Sequence, residues 1–180
     1  MEVNKYFTND EIQKIKENNF QLTFNFRSKP ATKITYFEKI KPNNGYWCGN
    51  NDKGTAISIV KPPYPIETVI YVKEVFRRPN IEDSVLKSNL NLIDRNKMLI
   101  NYKSDGTLYL FNFNDKIKKS DIWKSQSLTP KELSRFILIV TDIKVVYSIQ
   151  HKKWLWDYSY KVKEQGKAFK SKIGNQYFYF

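Results

Sequence analysis

Two adjacent charges inside an apolar run, Lys73-Glu74 in TVIYVKEVF (Thr68 to Phe76), are the first groups whose types and spacing could do chemistry. The β-branched density of that run reads as a strand. Consecutive strand residues face opposite sides, so one of the two charges points into an interior, or into its mouth, unless a bulge intervenes. A buried charge needs a partner. Glu74 paired with Arg135 would fasten two strands from inside; alternatively Glu74 accepts from a base edge while Arg135 or Lys73 meets phosphate.

A second group is the loop that opens WKSQSLTPKELSRFILIVTDIKV, Trp123 to Val145, where a polar segment stands directly ahead of a hydrophobic strand. Trp123 would stack on a base there, Lys124 would meet phosphate, and Ser125, Ser127 and Ser134 would line a cleft. The same residues also suit a plain turn, with Trp123 plugging the end of the core. Trp47, between two turn signals, divides in the same way, whereas Trp154 and Trp156 read as core. The single cysteine, Cys48, excludes an internal disulfide and has no neighbouring histidine to activate it. The single histidine, His151, leaves no zinc set. No glycine-rich phosphate cradle and no Ser-His-Asp arrangement can be assembled, so no metal or cofactor is expected.

The elements that must position these groups belong to a strongly basic chain. Its 180 residues carry 31 Lys and Arg against 18 Asp and Glu, a formal charge of +13. Basic surfaces attract polyanions whatever fold carries them, although lysine-rich, arginine-poor usage also follows from low-GC coding. Aromatic residues, 16% of the chain, interleave with the lysines as in surfaces that stack unpaired bases. MEVNKYFTND has no apolar signal segment, and the longest strongly apolar run, Phe136 to Val140, is far below the roughly 20 residues that span a bilayer. A cytoplasmic protein without a membrane partner is expected.

Thr8 to Glu11 reads as a capping box opening a short helix over residues 9–18, a lid or appendage. Phe20 to Phe26 alternates as a half-buried strand. Asn43-Asn44-Gly45 and Gly49 to Asp52 read as turns around an isolated Tyr46-Trp47-Cys48 triplet. Ala56 to Val60 is a short strand stopped by Lys61-Pro62-Pro63-Tyr64-Pro65. Ile81 to Ile93 reads as a helix, and Lys97 to Phe113 as a hairpin turning at Lys103 to Gly106. Thr129-Pro130-Lys131-Glu132 promises one capped helical turn before a central strand from Arg135, and Trp154 to Val162 is the last core strand. These elements imply a mostly β (α+β) fold: an N-terminal helical extension (1–19), a β-barrel with short peripheral helices (20–162) and a basic aromatic tail (163–180).

Three segments together resemble a known family. Tyr71 to Phe76 is similar to the strand of the ASCH branch of the PUA-like superfamily, in which an aromatic and a valine precede a basic residue and a glutamate. Trp123-Lys124-Ser125 with Leu128, Pro130, Ser134 and Arg135 resembles the Trp-basic-Pro-Ser loop and Ser-Arg strand entry of phage-type ASCH proteins. Trp154-Leu155-Trp156 with Tyr158 and Tyr160 resembles their closing aromatic strand. The likeness covers about half the chain. The Gly-Asp turn usual before the basic-Glu strand is here Pro65-Ile66-Glu67, and the helix usual between the last two strands is almost absent at Tyr147 to Lys153.

The resemblance implies a small PUA-like β-barrel whose cleft binds RNA or an unpaired or modified nucleotide. Some ASCH proteins are amidohydrolases using a Lys, a Thr three residues later and a Glu on that helix. Lys29 and Thr32 stand at the spacing, with Glu74 a further catalytic candidate, but the helix for the Glu is missing. Three functions therefore stand: a nucleic-acid reader using Lys73, Glu74, Trp123, Lys124, Ser125, Arg135 and Trp47; a hydrolase of a modified nucleoside or RNA on the same cleft; and a small basic accessory protein, phage-like, that docks on an acidic protein or nucleoprotein.

Overall fold

Thr8 and Glu11 close the capping box that their spacing predicts: the Thr8 hydroxyl accepts from the Glu11 N–H at 3.3 Å and the Glu11 carboxylate accepts from the Thr8 N–H at 2.7 Å. The helix they start, α1 (Asn9–Lys16), buries Ile12 and Ile15 completely. The structure is a computed structural model and describes residues 1–26, 33–41, 45–79, 97–112, 117–168, 171–173 and 176–178. Around α1 run the strands β1 (Glu2–Tyr6), β2 (Leu22–Asn25), β3 (Tyr36–Lys41), β4 (Tyr46–Asn50), β5 (Ala56–Val60), β6 (Val69–Lys73) and β7 (Phe76–Arg77). The chain continues through β8 (Lys97–Tyr102), β9 (Leu108–Asn112), β10 (Phe136–Ser148), β11 (Lys153–Glu164), β12 (Lys167–Ala168), β13 (Ser171–Ile173) and β14 (Gln176–Phe178). The fold is mostly β, with several sheets. Among the described residues none of them closes into a barrel.

The chain divides into two compact units that interleave along the sequence. The first comprises Met1, Gln21–Val69 and Ile139–Lys161. Here β11 lies between β10 and β2, and β4 lies between β3 and β5. β4 corrects the expectation of an isolated triplet between two turns, because Gly49 and Asn50 extend it as strand. The reason lies in Gly49: a Cβ there would meet Ile34 Cδ1 at 2.7 Å and Phe37 Cε1 at 2.9 Å. This glycine marks close packing rather than a turn. The turn falls one step later, where the Asn51 side chain accepts from the backbone of Lys53 and Thr55.

The second unit comprises Glu2–Phe20, Ile70–Leu138 and Val162–Phe180. The segment expected as a separate N-terminal extension is therefore counted with two later stretches of chain, its strand β1 lying beside β6, which lies beside β10. A second sheet runs β12-β9-β8-β7, and its core gathers Phe76, Met98, Ile100, Tyr102, Tyr109, Phe111 and Leu133. The hairpin β8–β9 turns where expected, Gly106 taking a φ of 69° that suits glycine. β10 begins in this unit and continues into the first; as its two-faced apolar start predicts, it has strands on both sides. The helix expected over Ile81 to Ile93 lies outside the described residues.

Candidate functional site

The strand read through Lys73-Glu74 stops there, leaving Glu74 and Val75 between β6 and β7. The polar loop beginning at Trp123 is stitched onto the break. Phe76 and Lys124 exchange backbone hydrogen bonds of 3.2 and 2.7 Å, the Thr129 hydroxyl donates to the Glu74 carbonyl at 2.7 Å, and the Lys73 ammonium donates to the Thr129 carbonyl at 2.8 Å. Thr129 is thus not the expected helix cap. Pro130 precedes the 3-10 turn Lys131–Leu133, and the Thr129 hydroxyl serves the broken strand instead.

Behind this junction lies an ionic network. Arg135 Nε donates to Glu74 Oε1 and Nη2 to Glu74 Oε2, both at 2.8 Å. Nη2 also donates to Ser104 Oγ at 2.7 Å, and Nη1 reaches both Asp105 oxygens at 3.1 and 2.9 Å. All three guanidinium nitrogens are engaged, and the rings of Tyr102, Tyr109 and Phe136 lie 4.7–5.2 Å from its centre. Arg135 and Glu74 are both at 0% exposure. Of the two roles left open for them, the structure places them in the internal pair, and Arg135 has no nitrogen left for a phosphate. Burial works against the Arg135 charge, but Glu74 and Asp105 outweigh it and raise its pKa. Burial also opposes the Asp105 carboxylate, yet Arg135, the Thr107 N–H and Lys16 hold its pKa below the ordinary value.

Lys73 is buried too, and burial pulls its pKa down to about 8, with Glu132 opposing. The unfolded chain keeps this proton up to the ordinary 10.5, so below pH 8 the native state bears the full penalty of a buried charge. Stability should therefore rise from pH 8 towards 10 in the wild type relative to Lys73→Met. Urea unfolding of both proteins at pH 7.5, 8.5 and 9.5 measures the difference; parallel curves would mean that Lys73 stays charged at little cost.

The loop itself gives less of a cleft than its composition suggests. Trp123 is half-buried, with Arg77 packed 4.5 Å from its ring; Ser125 and Ser127 are exposed and bond each other at 2.8 Å; the buried Ser134 hydroxyl has no hydrogen-bond partner among the described residues. Lys29 and Thr32 lie outside the described residues. Trp47 belongs to the first unit, at 8% exposure beneath Lys39, whose ammonium is 5.3 Å from the ring and paired with Asp142.

Trp47 leads to a site that sequence reasoning missed. Its ring meets Trp156 edge-on, and Phe26 stacks on Trp156 at 4.6 Å with the rings within 10° of parallel. Phe26, Trp156, Ile59, Val60, Lys61, Pro62 and Pro63 line a pocket of about 410 Å³. That volume lies within the range of small-molecule sites. Among the described residues, Lys61 is the only charged one in the lining. Prolines without N–H groups, residues of the edge strand β5 and the stacked Phe26 and Trp156 rings line it, and Lys61 adds a cation.

Compared with protein-family models, curated proteins and solved structures, the chain matches none. The residues therefore speak for themselves. Among those described, no three His, Cys, Asp or Glu side chains are grouped to hold a metal, and no helix is long and apolar enough to cross a membrane. Cys48 donates to Asn50 Oδ1 at 3.4 Å, and the Asn50 amide donates to Glu38 at 3.0 Å. An amide oxygen is no base, so this chain of contacts does not make a nucleophile of the thiol.

Proposed function

We propose that this protein is a PUA-like, ASCH-type reader of single-stranded nucleic acid, RNA by preference, and that an unpaired base enters the pocket at Phe26, Trp156 and Lys61. The observation that carries the reading is that pocket, lined by Phe26, Trp156 and Lys61 in a chain of charge +13; in this reading a base stacks on the aromatic wall and Lys61 meets the adjoining phosphate. Every base has a π-face, so the wall accepts any of them. The lysines elsewhere supply affinity without sequence information.

Fluorescence anisotropy on matched single-stranded RNA, single-stranded DNA and duplex DNA at two salt concentrations tests this. Stacking contributes about 1–3 kcal/mol per base, so Phe26→Leu should weaken single-strand binding about 5- to 150-fold while the urea midpoint confirms folding. Lys61→Ala should lower affinity and reduce the salt slope by roughly 0.7. Equal, strongly salt-dependent binding of all three nucleic acids, unaffected by Phe26→Leu, would reduce the charge to an unspecific surface.

A further inference from the structure

The three-stranded sheet of the first unit has two unlike faces. Phe37, Lys39, Trp47 and Val60 share one, because Lys39 and Val60 both stand opposite Trp47 and because Phe37 and Trp47 meet the rings of Trp154 and Trp156. Alternation along β4 puts Tyr46, Cys48 and Asn50 on the other, with Glu38 and Ile59 opposite Cys48 and Tyr36 opposite Asn50. On that second face Tyr36 is 42%, Tyr46 41% and Ile59 66% accessible, while Cys48 and Asn50 among them are buried. Water-facing rings and an isoleucine on a central and two flanking strands are an unusual way to finish a sheet.

Lys61 joins this face to the pocket. The residue is part of the pocket's lining, and its ammonium sits 5.4 Å from the centre of the Tyr46 ring. We infer that the nucleic acid does not end in the pocket: the nucleotide next to the pocketed one stacks on Tyr46, and Lys61 holds the phosphate between the two bases. This rests on the pocket's being a base site, as proposed above. The chemistry of the face favours a polyanion with flat apolar groups, since the Lys61 ammonium stands over its Tyr46 ring and its acid, Glu38, already accepts from Asn50. A single strand supplies such groups at every step, and its backbone can follow a sheet surface.

Isothermal titration with nucleoside 5′-monophosphates and with di- to hexaribonucleotides separates the two claims. The dinucleotide should bind at least ten-fold more tightly than the mononucleotide. Tyr46→Thr, which keeps a β-branched residue in the strand, should abolish that increment and leave mononucleotide binding intact. Tyr46→Phe should retain it, because stacking needs the ring and not the hydroxyl. Phe26→Leu should weaken both ligands. Oligonucleotide binding unchanged in folded Tyr46→Thr would overturn the two-base site and leave the pocket standing. Failure of the wild type to bind mononucleotide or oligonucleotide would remove the base site, and the extension with it.

Discussion

Arg135→Met should lower the stability of the protein by about 3–5 kcal/mol, because it leaves two carboxylates facing each other in a buried place with no cation between them. Glu74 would lose both of its Arg135 bonds and keep only the Ser104 hydroxyl; Asp105 would retain Lys16, 3.1 Å away at the surface. Urea unfolding followed by tryptophan fluorescence measures the loss. A substitution that costs less than about 1 kcal/mol would show that water enters and replaces the guanidinium. Pairing Arg135→Met with Glu74→Leu should recover much of the stability, since apolar groups of similar size can replace a buried ion pair at little cost. The same network sets an acid limit. Asp105 titrates below 3.8 in the folded protein, so its contribution is complete above that value and is lost as pH falls through the lower folded pKa. Asp105→Asn should flatten the acid limb of the stability curve.

The second large effect belongs to the first unit. Trp156→Ala removes a ring at 1% exposure that Phe26 stacks upon and Trp47 meets edge-on, and should cost about 3–5 kcal/mol through lost burial and the cavity left behind. Amide exchange provides the local readout, with protection falling first in β2 and β11, whose residues Phe24 and Trp156 stand opposite one another. Trp156→Phe keeps an aromatic wall and should retain most of the stability. It therefore separates loss of the fold from loss of ligand binding: a stable Trp156→Phe that binds no single strand would assign the indole itself to recognition.

How much of this was legible in the sequence depended on how local the deciding interaction is. The capping box of α1, the alternation of β2, the Asp-Gly turn and the central place of β10 all rest on neighbouring residues or on an unbroken apolar run, and each is found as read. The possible pairing of Glu74 with Arg135 also followed from strand geometry, because a charge within a strand must find something. Asp105 and Ser104 gave no such signal: they read as turn residues, and only the fold carries them to Arg135. Gly49 misled for a related reason. Glycine beside asparagine spells a turn unless a packed Ile34 and Phe37 forbid a side chain, and that crowding comes from other parts of the chain. The pocket was hidden in a stretch read only as punctuation, since Pro62 and Pro63 end β5 and also form a wall.

The order of the strands also governs how the protein is made. β1 and β6 are synthesised early, but β6 takes its second neighbour from β10, whose residues Phe136–Ser148 leave the ribosome more than sixty residues later. Until then one edge of β6 stays bare, carrying Ile70 and Val72 that are destined for the interior. The nascent chain is therefore most exposed to aggregation between these two points of its synthesis, and a ribosome stalled before Phe136 would hold the second unit in that state.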